Sequence, residues 1–339
     1  MNTKSFWRSS AIKTAVFILT TFALLPIGAS AQTLTGAGST FINPIMTKWI
    51  DEYKKETGVS LNYQSVGSGA GINNLIDGTI DFAGSDAPMN SDEQGRAKGP
   101  VIHLPAVIGA VCIAYNVNGM QSGLALSGED IADIYLGKIK YWDDPRIVKK
   151  NHGLSLPHEV IFTVHRSDGS GTTNIFTNYL SKTSSDWKQT VGEGKSVKWP
   201  ESSLGGKGNQ GVAGILKEHP FSIGYVEAAY AMENKISYAQ IENEHGQLVY
   251  PTVGTAKQAA QTFQVPDNMC TMITNASEGY PITGFSWIIV YKNSQKSKEL
   301  KSFLKWMLTK GQDYTRELYY AAIPDNLRRR EEKLIDSMQ

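Results

Sequence analysis

Apolar and polar positions along the chain follow two alternating rhythms. Leu61 to Val66 alternates with a period of two, as a half-buried strand does, and Val160 to His165 also reads as a strand. Val107 to Val117 is a continuous apolar run, the pattern of a buried strand. Between such runs come stretches of helical period. Asn43-Pro44 opens one in which Met46, Trp49, Ile50 and Tyr53 share a face and Gly58 ends it. Ser127 and Asp130 form a capping box before Ile131, Ile134 and Tyr135, with Gly137 as the stop. Leu300, Phe303, Leu304 and Met307 make a later stripe, and the mixed charges of 328–333 read as a solvated helix face. Short strands alternating with amphipathic helices predict an α/β fold.

The run from Ala15 to Leu25 differs from all of these. Lys4, Arg8 and Lys13 precede it and Ala29-Ser30-Ala31 follows it, so residues 1–31 are expected to be a cleaved signal peptide. The run is shorter than the roughly 20 residues a spanning helix needs, and no cysteine lies nearby to carry a lipid. A product in the periplasm is expected. Cleavage removes three basic and no acidic residues, taking 33 Lys+Arg against 32 Asp+Glu to 30 against 32, a net charge of −2. That balance gives no reason to expect nucleic acid or an anionic membrane as partner.

The remaining chain is long enough for two lobes, and no Pro/Gly/Ser-rich linker divides it. Two strand crossings are expected to join the lobes, His103 to Ala106 outbound and Pro281 to Ile289 on return. Residues 32–105 with 285–339 then form lobe 1, and 106–284 form lobe 2. Cys112 and Cys270 are too few for a disulfide scaffold, and both are expected to be free thiols.

Three glycine-rich segments stand between a strand-like run and a helix: Gly36-Ala37-Gly38-Ser39-Thr40-Phe41, Gly67-Ser68-Gly69-Ala70-Gly71, and Arg166-Ser167-Asp168-Gly169-Ser170-Gly171-Thr172. The first amides of a helix have no internal partner and the dipole there is positive, so such a turn can hold an anion. One such loop is ordinarily just a helix cap. Three of them, one with an arginine, point to an anion site. The guanidinium fork of Arg166 matches a tetrahedral oxyanion, and Asp168 could hold it in place, although a surface ion pair has the same pattern. Asp86 ends the run Ile80 to Asp86 at a strand terminus, where an aspartate is usually a turn or cap residue.

Other chemistries fit poorly. Phe41 stands where a dinucleotide fingerprint has its third glycine, the second loop is G-x-G-x-G, and no G-x-x-x-x-G-K-[ST] occurs. The turn Gly205-Gly206-Lys207-Gly208 is not a phosphate loop of that kind either. The six histidines, at 103, 152, 158, 165, 219 and 245, form no ligand set, and an alternating strand turns His165 away from the side chain of Arg166. A phosphate-ester hydrolase therefore lacks its machinery, and no cofactor or metal is expected. Asn275-Ala276-Ser277 is a chance sequon.

Taken together, the segments T-G-A-G-S-T-F (35–41), Y-Q-S-V-G-S-G (63–69), D-F-A-G-S-D-A-P (81–88), D-I-Y-L-G-K-I-K (133–140), R-S-D-G-S-G-T (166–172) and G-G-K-G-N (205–209) resemble one family. It is that of the periplasmic phosphate-binding proteins of high-affinity phosphate ABC transporters, the PstS type. The resemblance covers nearly the whole mature chain. It implies a two-lobed, type II periplasmic-binding fold, monomeric, not an enzyme, holding phosphate in the interlobe cleft and handing it to permease subunits. It implies that Thr40 and Phe41 donate backbone amides with the Thr40 hydroxyl helping, that Ser68 donates from the second loop, and that Arg166, Ser170, Gly171 and Thr172 close from the other lobe. Asp168 would orient Arg166. Asp86 would accept the ligand's own hydroxyl proton, welcoming a protonated oxyanion such as phosphate or arsenate and repelling sulfate. Ser39 stands where members often have Ala, and Gly69 where some have a second Ser.

Overall fold

A computed structural model describes residues 1–2 and 33–339; the expected signal peptide lies outside the described residues. In chain order the strands are β1 (Leu34–Gly38), β2 (Leu61–Ser65), β3 (Phe82–Ser85), β4 (Val101–Asn116), β5 (Ala125–Leu126) and β6 (Phe162–Arg166). They continue as β7 (Leu204–Gly206), β8 (Ser222–Glu227), β9 (Ser237–Tyr238), β10 (Gln240–Glu242), β11 (Leu248–Val249) and β12 (Thr283–Tyr291). No helix among the described residues is long and apolar enough to cross a membrane.

The sheet order β2-β1-β3-β12-β4-β8-β6-β7 makes the two lobes visible, with β9 paired to β4 off this path. Parallel pairs β2/β1/β3 form one half, and parallel pairs β8/β6/β7 form the other. Antiparallel β12 and β4 run between them. The sixteen-residue strand β4 belongs to both halves: Val101–Ala110 pairs with β12 and Val111–Asn116 with β8. Its near-continuous apolar sequence follows, because almost every residue is buried whichever face it points to. The expected outbound crossing at 103–106 lies within this strand, ahead of its change of partner at Ala110/Val111, and residues 283–289 of the expected return lie on β12. The small sheet β11-β10-β5 packs separately.

The helices begin and end where local chemistry directs. Pro44 opens the helix Asn43–Thr57, and Gly58, at φ 72°, closes it with its N–H on the Lys54 carbonyl. Ile45, Met46, Trp49 and Tyr53 form its buried face. The helix Gly128–Tyr135 carries the reciprocal Ser127–Asp130 capping box. The helix Asp325–Asp336 departs from expectation. Most of its charged side chains face water, but Glu331 is fully buried beside Leu327 and Ile335. Cys112 and Cys270 are free thiols, the first deep in β4 and the second half-buried.

Candidate functional site

All three glycine-rich loops start helices that point at one place. The first follows β1, and Gly38 (φ 139°) lies so close to β3 that a Cβ there would sit 2.1 Å from the Gly84 carbonyl oxygen. Its carbonyl accepts the amides of Val66 and Gly67 at the entrance to the second loop. A Cβ on Gly71 would fall 2.4 Å from the Gly38 Cα, so loops one and two touch backbone to backbone. The second helix, Ser68–Asp77, begins at Ser68, earlier than its apolar stripe suggests. The third loop follows β6, and Ser170 caps the helix Gly171–Thr183 by accepting the Thr173 amide at 3.0 Å. Gly69 N–H donates to the Gly169 carbonyl at 2.9 Å, which ties loop two to loop three across the cleft.

The first loop is anchored by three tyrosines. Tyr63, Tyr230 and Tyr320 donate their hydroxyls to the carbonyls of Ser39, Thr40 and Phe41 at 2.9, 2.7 and 2.6 Å. With the carbonyls held outward, the loop's amides and hydroxyls are the groups left to face the cleft. The Phe41 amide donates to Ser39 Oγ at 2.9 Å, and its ring is buried in the core against Tyr320. Thr40 Oγ1 accepts from both the backbone and the side-chain amide of Asn209 at 3.0 and 2.9 Å.

Arg166 leaves β6 into this space and is 3% exposed. Asp168 grips it bidentately, taking Nε at 2.8 Å and Nη2 at 2.5 Å, while Nη1 donates to Thr172 Oγ1 at 3.2 Å. The guanidinium thus uses three of its five N–H groups within the protein. Asp168 is held further by the Gly208 amide at 2.9 Å. Burial works against its charge, but the Arg166 hydrogen bonds and charge keep its pKa below the ordinary carboxylate value. His165, the neighbour, turns away to Ser203 and stacks on Trp199.

Asp86 faces Arg166 from the other half and is 1% exposed. Its Oδ1 accepts Ser39 Oγ at 2.5 Å and Ser286 Oγ at 2.7 Å; Ser68 Oγ is 3.5 Å from Oδ2. A Cβ on Gly171 would fall 2.6 Å from that Oδ2 and from Ser68 Oγ, so only glycine allows the third helix start to lie against Asp86. Burial raises the Asp86 pKa to about 6, opposed by the Ser39 and Ser286 hydroxyls, by Arg166 and by Ser68. The carboxylate is mostly ionised at neutral pH but sits near its titration range.

The structure therefore brings Thr40, Phe41, Ser68, Asp86, Arg166, Asp168, Ser170, Gly171 and Thr172 together where the three loops meet the end of β3. It adds residues that sequence reasoning did not single out. Asn209 is fully buried and bridges Thr40 Oγ1 to Thr172 Oγ1, so it links the first and third loops. The G-G-K-G-N segment was its only signal. Glu227 is fully buried at the end of β8, and burial pushes its pKa well above the usual range. Ser286, inside an apolar strand, had no signal at all. Among the described residues no cluster of His, Cys, Asp or Glu is arranged to hold a metal.

A family model described as the PBP superfamily domain matches residues 26–310. The phosphate-binding protein PstS of Pasteurella multocida is 43% identical over 323 residues, covering 93% of each chain. That of Haemophilus influenzae is 43% identical over 321 residues, covering 92% of this chain and 95% of its own. A phosphate ABC transporter substrate-binding protein from Clostridium perfringens, solved with bound phosphate, shares the fold at a TM-score of 0.66 and 18% identity. That likeness covers 86% of this chain and 100% of the other. With relatives this similar over this length, the chain belongs to the PBP superfamily and, within it, to the family of the phosphate-binding protein PstS.

Proposed function

We propose that this chain is an extracytoplasmic solute-binding protein that captures inorganic phosphate between its lobes and delivers it to the permease subunits of an ABC transporter. One observation carries the reading: a clamped cation, Arg166, and a buried carboxylate, Asp86, meet where three helix starts converge. A bare tetrahedral anion that still carries a proton satisfies both. Arg166 and the amides at Thr40, Phe41, Gly171 and Thr172 take the unprotonated oxygens, with the hydroxyls of Thr40, Ser68, Ser170 and Thr172 beside them; the Ser170 amide is held by the Lys195 carbonyl. The Phe41 amide is then shared between the ligand and Ser39 Oγ. Asp86 takes the ligand's O–H, and Asp168 keeps the Arg166 fork in plane.

On this reading the chain binds without turnover: the two hydroxyls paired with Asp86 at Oδ1, those of Ser39 and Ser286, are fully buried, and the neighbouring His165 turns away to Ser203. Residues 32–105 with 285–339 are taken as one lobe and 106–284 as the other, in a monomer; β4 changes partner at Ala110/Val111, five residues beyond the first of these boundaries. Export to the periplasm through residues 1–31, and the absence of a nucleic-acid partner, complete the reading.

Calorimetric titration of the mature protein, stripped of ligand by unfolding and refolding, tests it. Phosphate and arsenate are expected to bind at one site with micromolar or tighter affinity, about −8 kcal/mol or better, and sulfate at least roughly tenfold more weakly. No measurable phosphate heat, or equal affinity for sulfate, would sink the proposal.

A further inference from the structure

The two oxygens of Asp86 live in different surroundings. Oδ1 accepts two hydroxyls, from Ser39 on the first loop at 2.5 Å and from Ser286 on β12 at 2.7 Å, and both serines are fully buried. A carboxylate oxygen has about two acceptor positions, so Oδ1 is full. Ser39 cannot turn its hydroxyl proton elsewhere without cost, because its lone pairs already take the Phe41 amide at 2.9 Å. Oδ2 instead faces the cleft: the start of the helix Gly171–Thr183 lies against it, and its one hydroxyl neighbour, Ser68 Oγ, is at the 3.5 Å limit.

Ser286 reaches Asp86 beside an irregularity in the sheet. The register of β12 on β4 shifts between Ser286 and Trp287, next to the point where Trp287 pairs with Ser85 of β3. The strand that returns between the lobes delivers a hydroxyl to a carboxylate 200 residues away. From these contacts we propose that Ser39 and Ser286 are positioning residues that lock Oδ1 of Asp86, leaving Oδ2 as the single atom that reads the ligand's proton.

This rests on the reading of the cleft as a phosphate site. The two hydroxyls do two things there. They hold the carboxyl plane so that Oδ2 stays aimed across the cleft, and as donors they favour the ionised form against burial. The other groups around Asp86 are Arg166 and the Ser68 hydroxyl, which also favour its ionisation, and Glu227, Tyr63 and Tyr320, whose own ionisation the Asp86 charge opposes. Loss of either serine hydroxyl thus lets Asp86 protonate at higher pH, and a protonated carboxyl can donate to sulfate.

The test measures dissociation constants for sulfate and phosphate from pH 5 to 9 at fixed ionic strength in wild type, Ser39→Ala, Ser286→Ala and Asp86→Asn. Phosphate speciation is common to all four proteins, so differences between them report the protein. In wild type, sulfate binding is expected to strengthen as pH falls toward the Asp86 range. In both serine variants that rise should begin at higher pH, and at pH 7 the sulfate-to-phosphate ratio of constants should move at least threefold toward unity. A serine lost for packing alone would weaken both anions together and leave the profile in place. Two separate variants guard against one that fails to fold. Serine variants whose profiles overlay wild type, while Asp86→Asn shifts the ratio, overturn the positioning role and leave the phosphate reading standing. A ratio unmoved even by Asp86→Asn overturns the reading of Asp86 beneath it.

Discussion

Arg166 is the charged donor that the structure brings furthest into the cleft, and its fixed fork decides what its loss would do. Truncation to Ala removes two cleft-facing N–H groups together with a full positive charge, and leaves Asp168 as an uncompensated carboxylate at 11% side-chain exposure. Arg166→Ala is therefore expected to weaken phosphate at least tenfold. Arg166→Lys should recover only part of this, since an ammonium cannot bind Asp168 and ligand in one plane. Titration of both variants decides the matter; an Ala variant that binds like wild type would place the site elsewhere. At this scale the sequence was readable where residue type and local pattern agree. Arg166, Asp168 and the loop hydroxyls lie in glycine-rich turns that few other roles require. Ser286 was not readable, because a single serine in Thr283–Tyr291 has the same pattern whether it packs, bulges or donates. Only the partner 200 residues away gives it meaning.

At the scale of elements, periodicity predicted helices well and the fate of single charges poorly. The helix Asp325–Asp336 shows why: 328–333 is so rich in charge that a solvated face is the natural expectation, yet Leu327, Glu331 and Ile335 form the packed stripe. The spacing of four between these residues is the helical signal, and the glutamate in the middle conceals it. Neither oxygen of Glu331 has a hydrogen-bond partner, and burial pushes its pKa well above 4.5, with Arg328 and Arg330 pulling it back. A raised folded-state pKa means that the native protein holds a proton which the unfolded chain releases. Stability is thus highest below the ordinary glutamate pKa and declines as pH rises from there toward the folded value. Glu331→Met, similar in volume and without polar oxygens, should stabilise the protein at pH 8 by about 1–3 kcal/mol, the usual cost of an unsatisfied buried group. The gain should shrink toward pH 4. Denaturant melts at the two pH values measure it, and a gain that is equal at both would refute the titration argument.

For the whole molecule, the relevant question is what holds the lobes together around the ligand. The two-lobe plan was legible from the length of the chain and the family resemblance, whereas of the long strand Val101–Asn116 only the apolar run from Val107 was readable. The contacts across the cleft were not, since each joins residues far apart in sequence. One of them lies beyond the ligand space. Lys195, between β6 and β7, reaches Glu93, between β3 and β4, at 2.7 Å with both side chains at most 13% exposed. The backbone of Lys195 also accepts the Ser170 amide at 2.8 Å, so the same residue touches the capping turn of the third loop and the opposite lobe. Opening the cleft must break this ion pair, and in so little solvent the pair is screened less than a surface bridge. Glu93→Gln keeps an acceptor for the Asn90 amide, which Glu93 Oε2 holds at 2.9 Å, and so preserves the helix cap while removing the charge. We expect Glu93→Gln and Lys195→Met each to speed phosphate release about three- to tenfold, a loss of roughly 0.7–1.4 kcal/mol from the closed state, with association little changed. The double variant should be no faster than the quicker single, as coupled partners require. Stopped-flow release measured across a salt series gives the answer: the wild-type rate should rise with ionic strength and the variants should not. If both single variants release phosphate within twofold of wild type, the pair is a bystander, and closure is held by the backbone bond from Gly69 to Gly169 and the Asn209–Thr40 contacts instead.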